Sequence, residues 1–308
     1  MAVTTNTITT ANFNTLRVKE IDFASRFETT WEALREIMGI MRPIAKTAGT
    51  KLVASNATVT LASGIVPEGD EVPLSSASVT PVEFGDIQLK KYRKRVTAEA
   101  VDKYGPEVAV QKTDDAFLNE LTGGIMDDFY TFLQSGSLDG GTEATFQMAV
   151  AMAVTRVKDK FKTLHLNYSN IVVFVNTLDV GKYLGTAPIT MQTRNGIEYF
   201  KDFLGANTVI VSSEIPEGTV IAVPADNIVL YYIDPTSHLS ALGLEYTTTN
   251  SPTRLIGVAK TANYERVSGE THVIHGLHLF AEYLDGICVT TIGEVSEGGA
   301  GDDVGEGA

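Results

Sequence analysis

The residues best suited to chemistry are three histidines, His272, His275 and His278, within the segment THVIHGLHLF. Imidazole is a common metal ligand, so a metal-dependent hydrolase is one hypothesis. The surrounding residues predict a strand, in which His272 and His278 share one face and His275 lies on the other. No cysteine lies nearby to complete a soft metal site, so we interpret the three histidines as structural and predict no metal.

Other catalytic and nucleotide-binding patterns are absent from the sequence. It lacks GxxxxGK[ST], a GxGxxG after a strand, and GxSxG, so no nucleotide, cofactor or serine nucleophile is predicted. We interpret the paired carboxylates Asp127-Asp128 as a helix face and Asp302-Asp303 as a solvated tail. The single cysteine, Cys288, cannot form an internal disulfide and lies in the apolar segment GICVTTI, which predicts a buried strand residue.

The densest basic run has three possible interpretations: a phosphate contact, a solvated strand face, or a subunit interface. Its residues are Lys90, Lys91, Arg93, Lys94 and Arg95, interleaved with Tyr92. A formal net charge of −14 argues against tight, general DNA binding, because phosphates are bound by clustered bases.

The N-terminal half of the sequence predicts an extended segment, a short helix, a long hairpin and a long helix. Residues 1 to about 25 show no helical period, whereas Trp31 lies in an amphipathic pattern that Pro43 ends. A β pattern runs from Leu52 to Val101. Thr113 is predicted to be the N-cap of the long helix, and Gly123-Gly124 within it indicates close packing or a bend.

The C-terminal half predicts a second helix from Thr142 through Leu164, followed by mixed strands and helices without a regular βαβ repeat. Residues 293–308 contain five acids, six glycines and no base, which predicts a flexible tail. No secretory signal is present, and no apolar run approaches the roughly 20 residues that span a bilayer, so we predict neither export nor membrane insertion.

Five segments in order carry a resemblance to a known family. They are IVPEGDEVPLSS (Ile65 to Ser76), KKYRKRVTAEAV (Lys90 to Val101), TDDAFLNELTGGIMDDFYTFLQSG (Thr113 to Gly136), IVVFVNTLDVGKYL (Ile171 to Leu184) and VIVSSEIPEGTVIAVPADNIVLYY (Val209 to Tyr232). The last segment is a compact meander with Pro- and Gly-containing turns. In this order the segments resemble the major capsid proteins of tailed bacteriophages, which have the HK97-like fold.

The resemblance implies an α+β, HK97-like capsid fold and a domain organisation. Its parts would be an N-terminal arm with a short helix (1–52), an extended β-hairpin loop (53–98), a peripheral domain with the long spine helix (99–141 and 265–292), an axial domain (142–264) and an acidic tail (293–308). It implies a non-enzymatic protein that assembles with itself, as hexamers and pentamers, into an icosahedral shell. Under this resemblance we favour the subunit-interface interpretation of the basic run, with acidic residues of another copy as partners, and the acidic candidates are Glu68, Asp70 and Glu71.

The implied surroundings are those of a phage head. Assembly would occur in the bacterial cytoplasm with a portal. We expect the scaffolding protein to be a separate chain, because the predicted arm begins near Met1 and leaves no room for a fused scaffolding segment. The shell would enclose double-stranded DNA without sequence-specific contact, and no membrane is involved. An encapsulin-like cellular nanocompartment shares this fold and is the first alternative, and the metal-dependent hydrolase is the second.

Overall fold

The computed structural model describes residues 23–27, 36, 43–186, 190–194, 196–236, 243–248 and 254–293. The strands are β1 (Pro43–Ala45), β2 (Lys51–Thr60), β3 (Ser76–Asp86), β4 (Lys90–Thr97), β5 (Leu138–Glu143), β6 (Ile171–Val175), β7 (Gln192–Arg194), β8 (Ile197–Phe203), β9 (Ala206–Val211), β10 (Thr219–Pro224), β11 (Ile228–Tyr232), β12 (Ile256–Asn263), β13 (Ser268–His275), β14 (Leu277–Ala281) and β15 (Cys288–Ile292). The α-helices are α1 (Ala98–Tyr104), α2 (Thr113–Gln134), α3 (Phe146–Thr163) and α4 (Thr177–Leu184), and a π-helical turn spans Glu107–Lys112. This mixture of helices and sheets confirms the predicted α+β class.

Contacts divide the chain into two units. Unit 1 is Met1–Phe132 with Asp226–Tyr283, and unit 2 is Leu133–Ala225 with Leu284–Ala308. These limits differ from the predicted axial segment, 142–264, because Asp226–Tyr283 belongs to unit 1. There β11 pairs with β1 and β14 to form one three-stranded sheet. The assignment of lobes to peripheral and axial positions in a shell stays a prediction.

The ribbon of unit 1 consists of β2 and β3, whose antiparallel register runs from Lys51 opposite Asp86 to Thr60 opposite Ser76. Its base is fixed by Ile87, whose amide donates to the Thr50 carbonyl at 3.0 Å. The Ile87 side chain is 2% exposed and packs in a cluster with Ile233 and Phe280. The predicted hairpin, 53–98, is too long, because the ribbon ends at Asp86.

Strand β4 lies in the second three-stranded sheet of unit 1, which has the order β12-β13-β4. It pairs antiparallel with β13, from Ser268 opposite Thr97 to His275 opposite Lys90. The partner strand is about 175 positions away along the chain, so a local hairpin pattern could not reveal it. The prediction of one strand through all three histidines is wrong. Gly276 separates β13, which contains His272 and His275, from β14, which contains His278.

The long helix α2 is observed almost at its predicted limits, but its start differs from the prediction. Thr113 continues from the π-helical turn with φ −77° and ψ −28°, so it is not an N-cap. Its hydroxyl instead donates backward, to the Ala109 carbonyl at 2.7 Å and the Val110 carbonyl at 3.0 Å. A Cβ added at Gly123 or Gly124 would meet nothing within 4 Å, so the predicted close packing does not occur within the described chain.

Unit 2 is built on a seven-stranded sheet of order β5-β15-β10-β6-β9-β8-β7. Helix α3 buries an apolar stripe at helical spacing against this sheet. The stripe comprises Phe146, Ala149, Val150, Ala153, Val154, Val157 and Phe161. All five residues of β6 are buried, as expected for a strand in the middle of a sheet. Cys288 is fully buried in β15, which confirms its predicted structural role, and burial raises the pKa of its thiol.

Two further boundaries correct the sequence predictions. Helix α3 begins at Phe146 rather than Thr142, because Thr145 is the N-cap and accepts from the Met148 amide at 3.3 Å, while β5 occupies 138–143. Residues 23–27 are helical, and Phe23 and Phe27 are buried, so the predicted extended arm does not reach residue 25. The predicted arm before residue 23, the helix around Trp31 and the tail beyond Gly293 lie outside the described residues.

Candidate functional site: a basic sheet face and an acidic loop

All five bases of the predicted interface lie on β4, and the pleat of the strand divides them between two faces. Successive side chains of a strand point to opposite sides. Lys90 and Lys94 therefore share one side of the sheet, whereas Lys91, Arg93 and Arg95 share the other. We call these the inner and the outer face of β4.

The inner bases are paired with carboxylates of α2 in the same chain. Lys90 pairs with Asp128, and Lys94 pairs with Asp114, whose side chain is 14% exposed. Lys94 also donates to the Thr113 hydroxyl at 2.8 Å, and Lys260 reaches Asp114 at 3.2 Å. The pairs of Asp114 with Lys94 and Lys260 are partly buried, whereas the Lys90–Asp128 pair is exposed. Both sets attach the sheet to α2, so Lys90 and Lys94 have a structural role within the chain.

The outer face is centred on Glu270 of β13, which is 6% exposed. Arg95 Nε donates to Glu270 Oε1 at 2.8 Å, and Asn263 Nδ2 donates to the same oxygen at 3.3 Å. Arg93 and His272 approach the second oxygen, at 3.7 and 3.5 Å. Burial opposes ionisation of Glu270, but these hydrogen bonds and the two arginine charges outweigh it and hold its pKa below the ordinary value.

Two outer bases keep capacity for another partner. The Arg93 side chain is 56% exposed, and its one ion pair with a described residue is the long contact with Glu270. Lys91 is exposed and forms no ion pair among the described residues. The outer face therefore presents positive charge to solvent, although the chain as a whole is acidic.

The acidic candidates lie on the loop that joins β2 to β3. Glu68, Asp70 and Glu71 are all exposed, and a turn is closed by the Asp70 amide on the Pro67 carbonyl at 3.2 Å. Within the described residues, no ion pair joins these acids to the bases of β4. The structure therefore does not bring the two predicted sets together within one chain.

The same loop exposes large apolar side chains. Ile65 is 92% exposed and Leu74 is 96% exposed, with Leu61 at 79% and Val72 at 70%. Scattered apolar residues are common on surfaces, but a group of them on one loop marks an interaction site. A two-stranded ribbon is only marginally stable alone, so this loop needs a covering surface.

The histidines are not arranged as a metal site. Among the described residues, no group of three or more His, Cys, Asp or Glu side chains could hold a metal ion. His275 is 1% exposed and stacks on Tyr92 with ring centroids 5.5 Å apart, and neither ring nitrogen has a hydrogen-bond partner in the described part of the chain. Burial and the charge of Lys90, offset in part by Asp128, lower its pKa to about 4.

Unit 2 contains a polar cleft of about 600 Å³ beside the N-terminus of α3. Lys182 and Glu217 form an exposed pair there, and this hydrogen bond and charge raise the pKa of Lys182. The Asp179 carboxylate accepts from the Gly218 amide at 2.7 Å, so it closes a turn.

Sequence reasoning missed Glu270, Asp114 and Asp128 as partners of the basic strand. From the sequence, Asp128 is predicted only to lie on a helix face, and neither Asp114 nor Glu270 is predicted to pair with a base. The period-two alternation of β4 could have separated the bases into two faces. The identity of the partners could not be predicted, because each depends on which strand and helix pack beside β4.

Several solved structures share the fold of this chain over most of its length. The capsid of a native GTA particle matches with a TM-score of 0.55 and 10% identity, covering 84% of this chain and 90% of that chain. The cyanophage A-1(L) capsid matches with a TM-score of 0.53 and 11% identity, covering 82% and 91%. A Mycobacterium phage Che8 structure matches with a TM-score of 0.50 and 13% identity, covering 77% and 84%.

These matches define the class of fold as that of viral capsid shells. The fold is the HK97-like fold of tailed-phage major capsid proteins, which confirms the resemblance predicted from the sequence. No protein-family model and no curated protein matches the sequence. Among the described residues, no helix is both long and apolar enough to cross a bilayer.

Proposed function

We propose that this protein is the major capsid protein of a tailed bacteriophage and that it assembles with itself into the icosahedral head around double-stranded DNA. The observation that carries the proposal is the capsid fold, shared over more than four-fifths of the chain with the GTA and cyanophage A-1(L) capsids. The exposed apolar loop supports it, because such a surface requires a partner.

The loop is the main assembly element in this proposal. The loop of each copy lies on a neighbouring copy, where Ile65, Leu74 and their apolar neighbours become buried. Many such contacts, each weak alone, act together because every subunit in a closed shell is tethered to several others. Assembly takes place in the host cytoplasm with a portal and a separate scaffolding protein, and hexamers and pentamers are the building units.

The remaining roles follow from the fold family. Unit 1 carries the spine helix α2 and corresponds to the peripheral domain with its extended loop, and unit 2 corresponds to the axial domain. The protein needs no catalysis, cofactor or metal for this function. DNA is enclosed without sequence-specific contact, in keeping with the net charge of −14, which repels phosphate.

The test is assembly of the purified chain, alone and with a scaffolding protein, followed by size-exclusion chromatography and negative-stain electron microscopy. We expect polyhedral shells or capsomer rings. A variant with Leu61, Ile65, Val72 and Leu74 all changed to serine should keep its melting temperature and lose shells. A wild-type chain that remains a monomer or dimer under every condition would contradict the proposal.

The DNA content of particles from infected or induced cells separates the phage head from the nanocompartment. A phage head contains double-stranded DNA protected from nuclease. Particles that contain a cargo protein and no DNA would support the encapsulin-like alternative. Stoichiometric zinc in the purified protein, with hydrolytic activity, would support the hydrolase.

A further inference from the structure

The outer face of the sheet β12-β13-β4 has a charge pattern that indicates its partner. Across the register, Lys91 lies opposite Ile274, Arg93 opposite His272, and Arg95 opposite Glu270. The third strand adds only uncharged residues on this side, which are Gly257, Ala259, Thr261 and Asn263. Lys91, Arg93, Arg95 and His272 thus lie around a single carboxylate, that of Glu270. This carboxylate already accepts a hydrogen bond from Arg95.

We infer that this outer face, through Lys91 and Arg93, receives the acidic loop bearing Glu68, Asp70 and Glu71 from a second copy of the chain. The inference rests on the proposed function and names the contact surface within it. The inner bases Lys90 and Lys94 are excluded from the contact, because carboxylates of α2 already neutralise them.

Charge complementarity is the reason for assigning this occupant. Residues 51–86, which form the ribbon and its loop, contain five acids and one base, Lys51, which lies opposite Asp86 at the base of the ribbon. Glu68, Asp70 and Glu71 are exposed and have no ion-pair partner among the described residues. Lys91 has none either, and Arg93 is more than half exposed. Among the described residues of unit 1, the acidic loop and the basic face are thus complementary in charge and incompletely neutralised.

The contact is expected to guide register more than to supply the main affinity. Exposed ion pairs are individually weak and are screened by salt. Complementary charge speeds the encounter of two subunits and disfavours wrong alignments of the loop on the sheet. The apolar side chains of the loop supply the main affinity through burial. Glu270 has a positioning role, because its bond to Arg95 fixes the adjacent basic strand.

Cysteine cross-linking tests the contact between copies directly. Protein carrying Lys91→Cys is mixed with protein carrying Asp70→Cys, assembled, and oxidised, with the buried Cys288 left in place. We expect a disulfide-linked dimer that contains one chain of each kind. The matched control pairs Lys162→Cys, an exposed base on α3, with Asp70→Cys and should give no dimer.

Charge reversal gives a second, independent readout. The double variant Lys91→Glu with Arg93→Glu should lower shell yield about tenfold, because like charges across an interface are strongly disfavoured. Adding Asp70→Lys and Glu71→Lys should restore the yield. Lys162→Glu alone should leave it unchanged, and melting temperatures confirm that every variant is folded.

The outcomes distinguish this inference from the proposed function. If the wild type forms shells but the cysteine variants give no cross-link between copies, the inference is overturned and the capsid function stands. The same conclusion follows if the charge-reversal variants assemble normally. An intramolecular cross-link in the Lys91→Cys, Asp70→Cys double variant, without linkage between copies, would also overturn it. Failure of the wild type to assemble at all would instead contradict the capsid function.

Discussion

Arg95 and Glu270 face each other on the neighbouring strands β4 and β13, and the Arg95 Nε atom donates to Glu270 Oε1 over 2.8 Å. This bond lies almost out of solvent, since only 6% of Glu270 is exposed. It joins two segments that are far apart in the sequence, and it holds the strand on which all five candidate interface bases are carried.

Glu270→Gln should destabilise the fold most at neutral pH. The ionised carboxylate is stabilised by the arginines, so its folded pKa lies below the ordinary 4.5. A lowered carboxyl pKa contributes stability above the unfolded value and loses it as the pH falls through the folded value. The melting-temperature difference between wild type and variant should therefore vanish in acid. Glu265→Gln, in the exposed turn, is the control, and a difference that persists unchanged to pH 3 would contradict this account.

His275 should make the protein sensitive to mild acid. Its folded pKa of about 4 lies below the ordinary 6.5, so the unfolded chain takes up a proton first as the pH falls. This uptake costs about 2 kcal/mol of stability at pH 5. His275→Phe retains an aromatic ring against Tyr92 and should flatten the loss between pH 6.5 and 5. Thermal unfolding measures the slope, and an unchanged slope would show that other groups govern it.

The control for that experiment is the exposed His165, changed to Asn. Its backbone has φ of 54°, a region that Asn tolerates well. The His165→Asn protein should retain the full acid sensitivity of the wild type.

Gly276→Ala should destabilise unit 1 by about 1–3 kcal/mol through overpacking. An added Cβ would lie 2.6 Å from Ile233 Cδ1 and 2.7 Å from its Cβ and Cγ1, closer than side chains can approach. Gly269→Ala is the matched control. Gly269 lies in β13, the strand that ends just before Gly276, and a Cβ added at Gly269 would meet nothing within 4 Å. Denaturant unfolding of both variants gives the comparison, and equal midpoints would contradict the predicted clash.

Val267→Gly should stabilise the turn between β12 and β13. Val267 is a β-branched residue with φ of 43°, a conformation that costs such residues about 1–3 kcal/mol and glycine very little. Glycine also increases the conformational entropy of the unfolded chain, which offsets part of the relieved strain. We therefore expect the free energy of unfolding to rise by about 1 kcal/mol. Val96→Gly, at an ordinary strand position, should lower the melting temperature. A decrease for Val267→Gly as well would show that the Val267 side chain is needed in place.

The parts of the fold that were predictable from sequence are those set by local periodicity. The stripe from Phe146 to Phe161 identified α3, because burial of one helix face against one partner repeats at a fixed interval. Local signals also located the long helix α2. The N-cap role predicted for Thr113 is wrong. A threonine whose hydroxyl donates to the carbonyl four residues earlier, that of Ala109, cannot be distinguished from an N-cap threonine by residue type alone.

The candidate site was predictable only in its residue types. The run from Lys90 to Arg95 marked a charged strand, but its division into paired and available bases depends on β13 and α2 lying on particular sides. His275 and His278 were assigned to one strand, although Gly276 places them in different sheets. Such outcomes depend on contacts between distant segments, which a single sequence does not encode in any local pattern.

Strand β15 lies between β5 and β10 in the sheet of unit 2, so residues made late in translation complete a sheet begun much earlier. Until Cys288–Ile292 leaves the ribosome, β10 lacks one of its two neighbours, and the surface that β15 covers stays open. A nascent or truncated chain therefore lacks a finished unit 2, even with its loop and basic strand already synthesised. The sheet of unit 2 can therefore close only after translation has passed Ile292.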